Sequence, residues 1–437
     1  MKDFGFRKWM VFIILSATVA LAYQLPVLRY TFYDQMLVAL QIDDVQMGLL
    51  ASVQGIFNTV AFPVGGFIAN RFPMKNQIMF SQAILAVLCL AFGFTTNFYA
   101  LLVINVLLGF FMNAALWSAY LSGLRGLGDE SMQSKLFGWS EATRGLVQTI
   151  MGFIFLAIMA AVATPVLGYR MVMTVGSAAL MVLFVISFIF LPKGEKKTAT
   201  DEKANAVVKK KYTVKDVIKN KGVWITILII FCAYFSVTVG NGYLTTYSTR
   251  VVGISESTAS MMGVIRSYAI VLLGGFVGGI VLDKFTYKGK GFIIFFAVNA
   301  VIIAGVLMTN KIIPVCVGLT LLVAFVFQVM KSTYWSLMGQ SGIPAGMTAL
   351  ATGFISLVAF VPDMFAPALC GYWIDAADAA GNIAVGFNKI FIMLIIVSCV
   401  GIIGSMILMK RTKSLESSGE LAKLNADAAE KATTVTE

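Results

Sequence analysis

Ionisable side chains are sparse in this sequence, and several of them interrupt long apolar runs. Arg266 lies well inside one such run, and Asp363 lies between Pro362 and Pro367 in another. A charged side chain at membrane depth is unfavourable, so each is a candidate functional residue. A guanidinium group binds carboxylate, phosphate or sulfonate oxygens, and a carboxylate can carry a proton. These residue types therefore predict anion binding, with proton transfer assigned to carboxylates because the chain has no histidine.

The other candidates are further charged side chains together with two neutral polar ones. Three arginines against one or two mobile acids favour an anionic substrate. The candidate binding residues are Arg29, Arg144, Tyr234, Asn241, Arg266 and Lys331, and the candidate proton carriers are Asp34, Glu141 and Asp363. Tyr234 and Asn241 belong to a polar stripe with helical spacing in the seventh apolar run, which is typical of a cavity lining.

Alternatives remain open at several of these positions. Glu141 and Arg144 either form one polar surface with Gln148 or neutralise each other near the membrane interface. Arg29 lies about 30 Å along a helix from Trp9, so it could instead lie at the outer surface.

Two further candidates also keep more than one interpretation. A role for Lys331 in gating between the two halves competes with a role in the pocket. Asp363 is either a proton carrier or the structural partner of Arg266 or Lys331. The flanking prolines predict a locally broken helix that could expose backbone carbonyls to a cavity.

The composition places these residues in a membrane protein. The chain has 437 residues, of which 59% are hydrophobic and 12% charged, and its mean hydropathy is +0.87. At about 20 residues per helix there is room for about a dozen spans, and continuous apolar runs disfavour a β-barrel. The predicted spans cover residues 9–34, 45–69, 75–95, 98–121, 137–160, 169–191, 223–248, 257–282, 291–309, 312–338, 346–374 and 387–409.

The fold expected from these spans is an all-α integral membrane protein with twelve transmembrane helices. We predict an N-terminal six-helix bundle at 1–191, a basic linker at 192–222 and a C-terminal six-helix bundle at 223–410. A disordered tail is predicted at 411–437, and a short amphipathic helix is predicted around 212–219. The first apolar run is interpreted as a transmembrane helix because it has no small-residue cleavage site at its end.

The charge distribution predicts the orientation in the membrane. The formal net charge is +12, and ten lysines against four acids between Lys193 and Lys221 supply half of it. Basic residues recur in every second loop, which by the positive-inside rule places both termini and the linker in the cytoplasm. The basic linker therefore needs only a membrane surface, and we expect no nucleic-acid partner.

The five cysteines all fall inside apolar runs without metal-ligand spacing. We therefore expect buried thiols, with no disulfide, metal or cofactor.

A repeated segment relates the two halves of the sequence. VGGFIANRFPMK at 64–75 returns as VGGIVLDKFTYK at 277–288, and LWSAYL around Trp117 returns as YWSLMG around Trp335. Each member of the first pair falls at the predicted cytoplasmic end of the second helix of its half. Two correspondences at nearly one offset predict a parallel repeat of two bundles related by a pseudo-two-fold axis, as found in transporters.

At these residues the chain resembles the major facilitator superfamily, whose loop between helices two and three carries Gly-x-Leu-Ala-Asp-Arg-x-Gly-Arg-Lys. The resemblance implies a transporter fold over the whole chain and a cytoplasmic latch between its halves. The family's acid is replaced by Asn70 in the first copy and kept as Asp283 in the second, which predicts an unequal latch. The predicted gating residues are Gly66, Asn70, Arg71, Lys75, Gly279, Asp283, Lys284 and Lys288.

The first two apolar runs also resemble the organic-anion and organophosphate antiporter branch of the superfamily. In that branch a tyrosine and an arginine of the first helix help to bind the anion, and the resemblance implies this role for Tyr23 and Arg29. The branch's second binding arginine, in the seventh helix, is absent here, and Arg266 in the eighth could compensate. The chain is similar as well to uncharacterised bacterial permeases.

The predicted function is secondary active transport of a small organic anion across the cytoplasmic membrane by alternating access. The coupling partner would be a proton, sodium or a counter-anion, and the protein is expected to be a monomer. Alternatives are proton-coupled drug efflux and a transporter-like membrane sensor. An enzyme is not expected because no nucleophile and base pair, metal cluster or cofactor motif is evident, and no nucleotide-binding P-loop sequence occurs.

Overall fold

The structure is a computed structural model that describes residues 5–128, 133–192, 212–344 and 347–421. Regular structure in these ranges is entirely helical. The N-terminal half contains α1 Phe6–Gln24, α2 Arg29–Leu40, α3 Asp44–Arg71, α4 Met74–Phe94, α5 Phe98–Phe111, α6 Ser118–Arg125, α7 Gln133–Ala161 and α8 Pro165–Phe190. The remainder contains α9 Val214–Lys219, α10 Lys221–Arg250, α11 Glu256–Val264, α12 Ile270–Asp283, α13 Lys288–Met308, α14 Ile313–Thr333, α15 Thr348–Ala359, α16 Pro362–Ala379 and α17 Ile383–Ser417.

The helices confirm the predicted order of spans. Within the described ranges, 11 helical segments are long and apolar enough to cross a membrane. The predicted eighth span corresponds to α11 and α12 with a π-helical turn, Ile265–Ala269, between them. The short helix predicted around 212–219 is also present as α9, which is capped by Thr213.

Two predicted boundaries are wrong. The first span continues past residue 34, because α2 extends to Leu40. The final helix continues past residue 410 to Ser417, so a disordered tail beginning at 411 starts too early. Thr412 holds this last part, since its hydroxyl donates to the carbonyl of Gln340 over 2.9 Å.

Several spans are interrupted where candidate functional residues lie. A 3₁₀ turn at Leu25–Val27, which contains Pro26, separates α1 from α2. A π-helical segment, Met112–Trp117, separates α5 from α6. Interruptions of this kind free backbone groups and redirect side chains, and π turns are often found at functional sites.

The helix break predicted near Asp363 is confirmed. α15 ends at Ala359 and α16 begins at Pro362, so the break falls at residues 360–361. Proline favours this arrangement because it lacks an N–H and is tolerated at the first position of a helix.

The repeated sequence segments occupy equivalent places along the chain. Each ends one helix and begins the next, at the α3–α4 and α12–α13 connections. A Cβ at Gly65 would lie 2.7 Å from Ser118 Oγ, and one at Gly278 would lie 2.7 Å from Ser332 Oγ. In both halves a glycine therefore permits close packing beside the second repeated segment, against the helix that carries this segment in the first half and the helix that precedes it in the second.

The chain forms two compact units. The first comprises Met1–Lys203, Gly242–Leu272 and Met364–Ile383, and the second comprises Ala204–Asn241, Leu273–Asp363 and Ala384–Glu437. In the first unit α4 packs along α8, α3 along α5 and α1 along α7, and in the second α13 packs along α14. The division into two six-helix bundles at 1–191 and 223–410 stays a prediction.

Candidate functional site

Arg29 is placed by the interruption of the first span. It is the first residue of α2, directly after the turn that contains Pro26. Its Nη1 donates to Gln54 Oε1 over 3.5 Å and its Nη2 to the Tyr30 hydroxyl over 3.4 Å. The guanidinium also lies 4.8 Å from the centre of the Tyr30 ring. These partners are all uncharged, and both hydrogen bonds are long.

Arg266 is joined to the same region through the backbone of Tyr30. It lies in the π-helical turn after α11 and is only 1% exposed. Its Nη2 donates to Thr245 Oγ1 over 2.9 Å, and that hydroxyl donates to the carbonyl of Tyr30 over 2.7 Å. We call Arg29, Tyr30, Gln54, Thr245 and Arg266 the arginine cluster. The structure thus brings two predicted anion ligands, Arg29 and Arg266, into one hydrogen-bonded group.

A glycine allows α11 to approach this cluster. A Cβ at Gly263 would lie 3.0 Å from Thr245 Oγ1, 3.1 Å from Thr31 Cα and 3.2 Å from the Tyr30 carbonyl oxygen. Such contacts are tighter than ordinary packing, so α2 and α11 can be this close only without a side chain here.

A second group of predicted residues surrounds the other π-helical segment. The Tyr23 hydroxyl donates to Asn113 Oδ1 over 2.7 Å, and Asn113 Nδ2 donates to Asn58 Oδ1 over 2.9 Å. Arg144 lies 5.7 Å from the centre of the Trp117 ring and 6.0 Å from that of Tyr23. Arg144 thus contacts the tyrosine that the family resemblance singled out.

The charge of Arg144 is paired within its own helix. Its guanidinium forms an ion pair with Glu141, one turn earlier in α7. An ion pair of this kind is what the mutual neutralisation of Glu141 and Arg144 requires, and its place near the membrane interface stays a prediction. Gln148, the third residue of the proposed polar face, instead bonds to α1, because its Nε2 donates to the carbonyl of Ala20 over 3.1 Å.

The second unit contains a separate aromatic and acidic group. The Tyr234 hydroxyl donates to Asp363 Oδ2 over 2.5 Å, and the Tyr234 ring lies 4.4 Å from the Phe360 ring. Asn241 is 8% exposed and its side-chain oxygen has no hydrogen-bond partner among the described residues. Lys331 is exposed in the last turn of α14. Tyr234 and Asp363, both predicted functional residues, are therefore in direct contact.

A charged group that the sequence reasoning missed lies at the helix ends around α2, α3 and α10. Arg250 Nε donates to Asp34 Oδ1 over 2.7 Å, and Arg250 Nη1 donates to Asp44 Oδ2 over 2.7 Å. Asp34 also accepts from the hydroxyls of Thr246 and Thr249, over 2.8 and 2.5 Å. Only Asp34 was among the predicted residues. Arg250 lies at the end of one apolar run and Asp44 at the start of another. From the sequence alone, both positions therefore suggest loop residues.

The predicted gating residues lie at the helix connections, and their latch function stays a prediction. Lys75 Nζ donates to the carbonyl of Phe188 over 2.6 Å, and the backbone N–H of Lys288 donates to Gln340 Oε1 over 2.8 Å. The other predicted gating residues differ in exposure, and the structure does not describe all of their side chains. Arg71, Asp283 and Lys284 are exposed, Gly279 has open space around it, and the side chain of Asn70 and the environment of Gly66 lie outside the described residues.

All five cysteines are free thiols, and one of them departs from expectation. Cys89, Cys232, Cys316 and Cys370 are buried, but Cys399 is exposed, so the prediction of a buried thiol there is wrong. It lies on a face of α17 that the chain leaves uncovered, where an apolar residue can contact lipid. In the described part of the chain no group of three His, Cys, Asp or Glu residues could hold a metal ion.

The fold and these buried polar groups define a membrane transport protein. The sequence profile of the Major Facilitator Superfamily matches residues 4–367. The chain belongs to this superfamily. Among proteins of similar sequence, the inner membrane protein YihN of Escherichia coli (strain K12) is 23% identical over 409 residues, covering 93% of this chain and 96% of YihN. The inner membrane protein YqcE of the same organism is 24% identical over 389 residues, covering 87% and 90%.

Solved structures show the same fold at low sequence identity. A bacterial homologue of the human lysosomal transporter Spinster has a TM-score of 0.73 at 14% identity, covering 95% of this chain and 98% of its own. The nucleoside transporter NupG has a TM-score of 0.71 at 14% identity, covering 93% and 100%. The D-xylose-proton symporter has a TM-score of 0.67 at 14% identity, covering 93% and 97%.

Proposed function

We propose that this protein is a secondary active transporter that moves a small organic anion across the cytoplasmic membrane, and that the arginine cluster binds the anionic group. The observation that carries the proposal is the environment of Arg29. Its guanidinium contacts the amide oxygen of Gln54 and the hydroxyl of Tyr30, both uncharged. Arg144 and Arg250 form ion pairs with carboxylates, whereas Arg29 forms none with a residue that the structure describes.

A partly buried arginine with neutral partners keeps its positive charge available to a ligand. Both of its hydrogen bonds are at the long end of the range, 3.4 and 3.5 Å, so a stronger acceptor can replace them. Carboxylate, phosphate and sulfonate oxygens are such acceptors, because they match the planar guanidinium and form shorter, charge-assisted bonds.

Arg266 supports the same substrate chemistry. It is almost fully buried and lies one hydroxyl away from the Tyr30 backbone, on the turn that interrupts the eighth span. Placing a guanidinium there requires a ligand or protein groups that offset its desolvation. A bound anion near Tyr30 would serve both arginines of the cluster.

Membership of the superfamily supports transport but not a particular substrate. The names of the two bacterial relatives, YihN and YqcE, do not state a substrate. The structural neighbours include a nucleoside transporter and a D-xylose symporter, whose substrates are uncharged. A test must therefore include neutral sugars and nucleosides beside anions.

The experiment is uptake into proteoliposomes containing purified protein. Labelled hexuronates, sugar phosphates, dicarboxylates and sulfonates are compared with a neutral hexose and a nucleoside, for wild type, Arg29→Gln and Arg170→Gln. Arg170 is the matched control, because it lies in the same unit and contacts the Phe94 ring at 5.4 Å, outside the arginine cluster.

We expect wild type and Arg170→Gln to transport at least one anion, and Arg29→Gln to lose that transport. Transport of only neutral compounds, or equal anion transport by Arg29→Gln, would show that Arg29 is not the anion ligand.

A further inference from the structure

We propose that Asp44 is a proton-binding site, and that its protonation loosens the joint where α2, α3, α10 and α16 meet. This joint, which we call the carboxylate joint, consists of Asp34, Asp44, Arg250 and Asp375. It lies within the first unit and shares no residue with the arginine cluster. By the predicted topology it lies at the non-cytoplasmic end of these helices.

The carboxylate joint contains more acidic than basic groups. Asp34 and Asp44 both bond to Arg250, over 2.7 Å each. Asp375, from α16, accepts from the backbone N–H groups of Asp44 and Val45, over 3.3 and 2.8 Å. Two carboxylates thus share one guanidinium and a third, Asp375, bonds to the backbone beside Asp44, so the group carries excess negative charge. A bound proton would reduce that excess.

Asp44 is the carboxylate best placed to take the proton. Its side chain is 7% exposed, and its Oδ1 is buried without a hydrogen-bond partner in the described part of the chain. Both oxygens of Asp34, in contrast, accept hydrogen bonds from hydroxyls or from Arg250. Protonation of Asp44 removes a buried negative charge, which lowers the cost of its burial.

A hydroxyl that can bond to this side chain is nearby. The buried hydroxyl of Tyr33 lies beside the Asp44 carboxylate and can donate a hydrogen bond to it, or accept one from it once Asp44 is protonated. The other charged or titratable groups acting on Asp44 are Arg250, Asp375 and Tyr243. A buried carboxylate close to two other carboxylates, with a hydroxyl able to bond to either of its protonation states, indicates a protonation site.

The position of the joint links this proton to a conformational change. A Cβ at Gly371 would lie 2.1 Å from the carbonyl oxygen of Asp44, and one at Gly48 would lie 2.3 Å from that of Pro367, so α3 and α16 touch through their backbones. Separating α10 from α3 must break the Asp44–Arg250 pair. A neutral Asp44 has lost the charge that holds this pair, so the joint opens more readily when the proton is bound.

The test uses a thiol whose burial depends on the joint. Ser52 is 4% exposed, and its hydroxyl accepts from the backbone N–H of Ala368 over 3.2 Å. We would label Ser52→Cys with a membrane-impermeant charged maleimide, in full-length protein in proteoliposomes that also carries Cys399→Ser. Ala380→Cys, at an exposed position, serves as the reference that corrects for the pH dependence of thiol reactivity.

The quantity measured is the labelling rate of the Ser52→Cys protein divided by that of the Ala380→Cys protein. We expect this ratio to rise about tenfold between pH 8 and pH 5 when Asp44 is present. With Asp44→Asn added, which mimics the protonated side chain, the ratio should be high and independent of pH. Tyr33→Phe removes a hydroxyl that can hydrogen-bond to the charged Asp44 carboxylate and stabilise it, so it should move the transition to higher pH with the same amplitude.

Three outcomes would overturn the proposal. One is a ratio that does not change with pH when Asp44 is present. Another is a pH-dependent ratio that persists in Asp44→Asn. The last is a transition unchanged by Tyr33→Phe in correctly folded protein. Because no substrate is used, these results are independent of whether the arginine cluster binds an anion.

Discussion

Arg29 and Arg250 lie in one compact unit, yet their surroundings are opposite. Arg250 bonds to two carboxylates over 2.7 Å each, whereas Arg29 bonds only weakly to an amide and a phenol. A guanidinium satisfied by fixed carboxylates has a structural role in the state observed, and one that faces neutral groups retains affinity for an anion. The difference indicates which arginine holds the protein together and which is available to a substrate.

The largest expected effect is on the free energy of unfolding, which should fall much more for a substitution of Arg250 than for one of Arg29. Arg250→Gln leaves the carboxylates of Asp34 and Asp44 without their guanidinium, and we expect a loss of about 2–4 kcal/mol, since Arg250 is partly exposed. Arg29→Gln removes only weak bonds to neutral groups and should change stability by less than about 1 kcal/mol. Unfolding of the purified variants at pH 8, followed by intrinsic fluorescence, measures both. Equal losses in the two variants would remove the distinction drawn here.

The next effect sharpens the role of Arg29 in binding. Arg29→Lys keeps the positive charge but loses the bidentate hydrogen-bonding geometry of the guanidinium. Arg29→Gln loses both the charge and that geometry. For the transported anion we expect about a 10-fold loss of affinity with lysine and about a 100-fold loss with glutamine. Isothermal titration of each variant checks the order. If lysine binds as well as arginine, the anion is held by charge alone.

A smaller effect tests the pairing of Asp44 with Arg250. We expect Asp44→Asn and Arg250→Gln to be non-additive, with a coupling free energy of about 1–2 kcal/mol in a double-mutant cycle. The pair Asp283→Asn and Arg250→Gln is a suitable control, because Asp283 is exposed and lies in the other unit. Additive losses for Asp44 and Arg250 would mean that their contact contributes little stability.

The smallest effect concerns the packing beside the arginine cluster. Gly263→Ala places a methyl group about 3 Å from the Thr245 hydroxyl and from the backbone of α2. We expect a loss of about 1 kcal/mol in stability and a severalfold weaker affinity for the anion. Gly279→Ala, where nothing lies within 4 Å of the added Cβ, should leave both unchanged. The same binding measurement on the two variants makes the comparison.

The sequence was enough to predict the order of the spans and several candidate charges. A spanning helix needs about 20 apolar residues, so its presence can be read from composition alone. Arg29 and Arg266 were found for the complementary reason, since a charge in an apolar run is conspicuous. The break before Asp363 was predictable because proline has a local effect on the backbone.

Features that depend on tertiary packing could not be predicted in the same way. The π-helical turns at Met112–Trp117 and Ile265–Ala269 have no comparable local signal. Arg250 meets its carboxylate partners across 216 and 206 positions of the chain, and no periodicity joins such distant residues. Tyr30 and Gln54 were overlooked because they carry no charge and lie outside the polar stripe that singled out Tyr234 and Asn241.

The measurement that tests the central claim most directly is a thermal-shift series on purified wild type, Arg29→Gln and Arg170→Gln with the same set of anions and neutral compounds. A ligand that binds the folded state raises apparent stability by mass action. We predict that one class of organic anion raises the unfolding temperature of wild type and Arg170→Gln but not of Arg29→Gln. An equal rise in all three proteins, or a rise with neutral compounds alone, would contradict the assignment of the arginine cluster as an anion site.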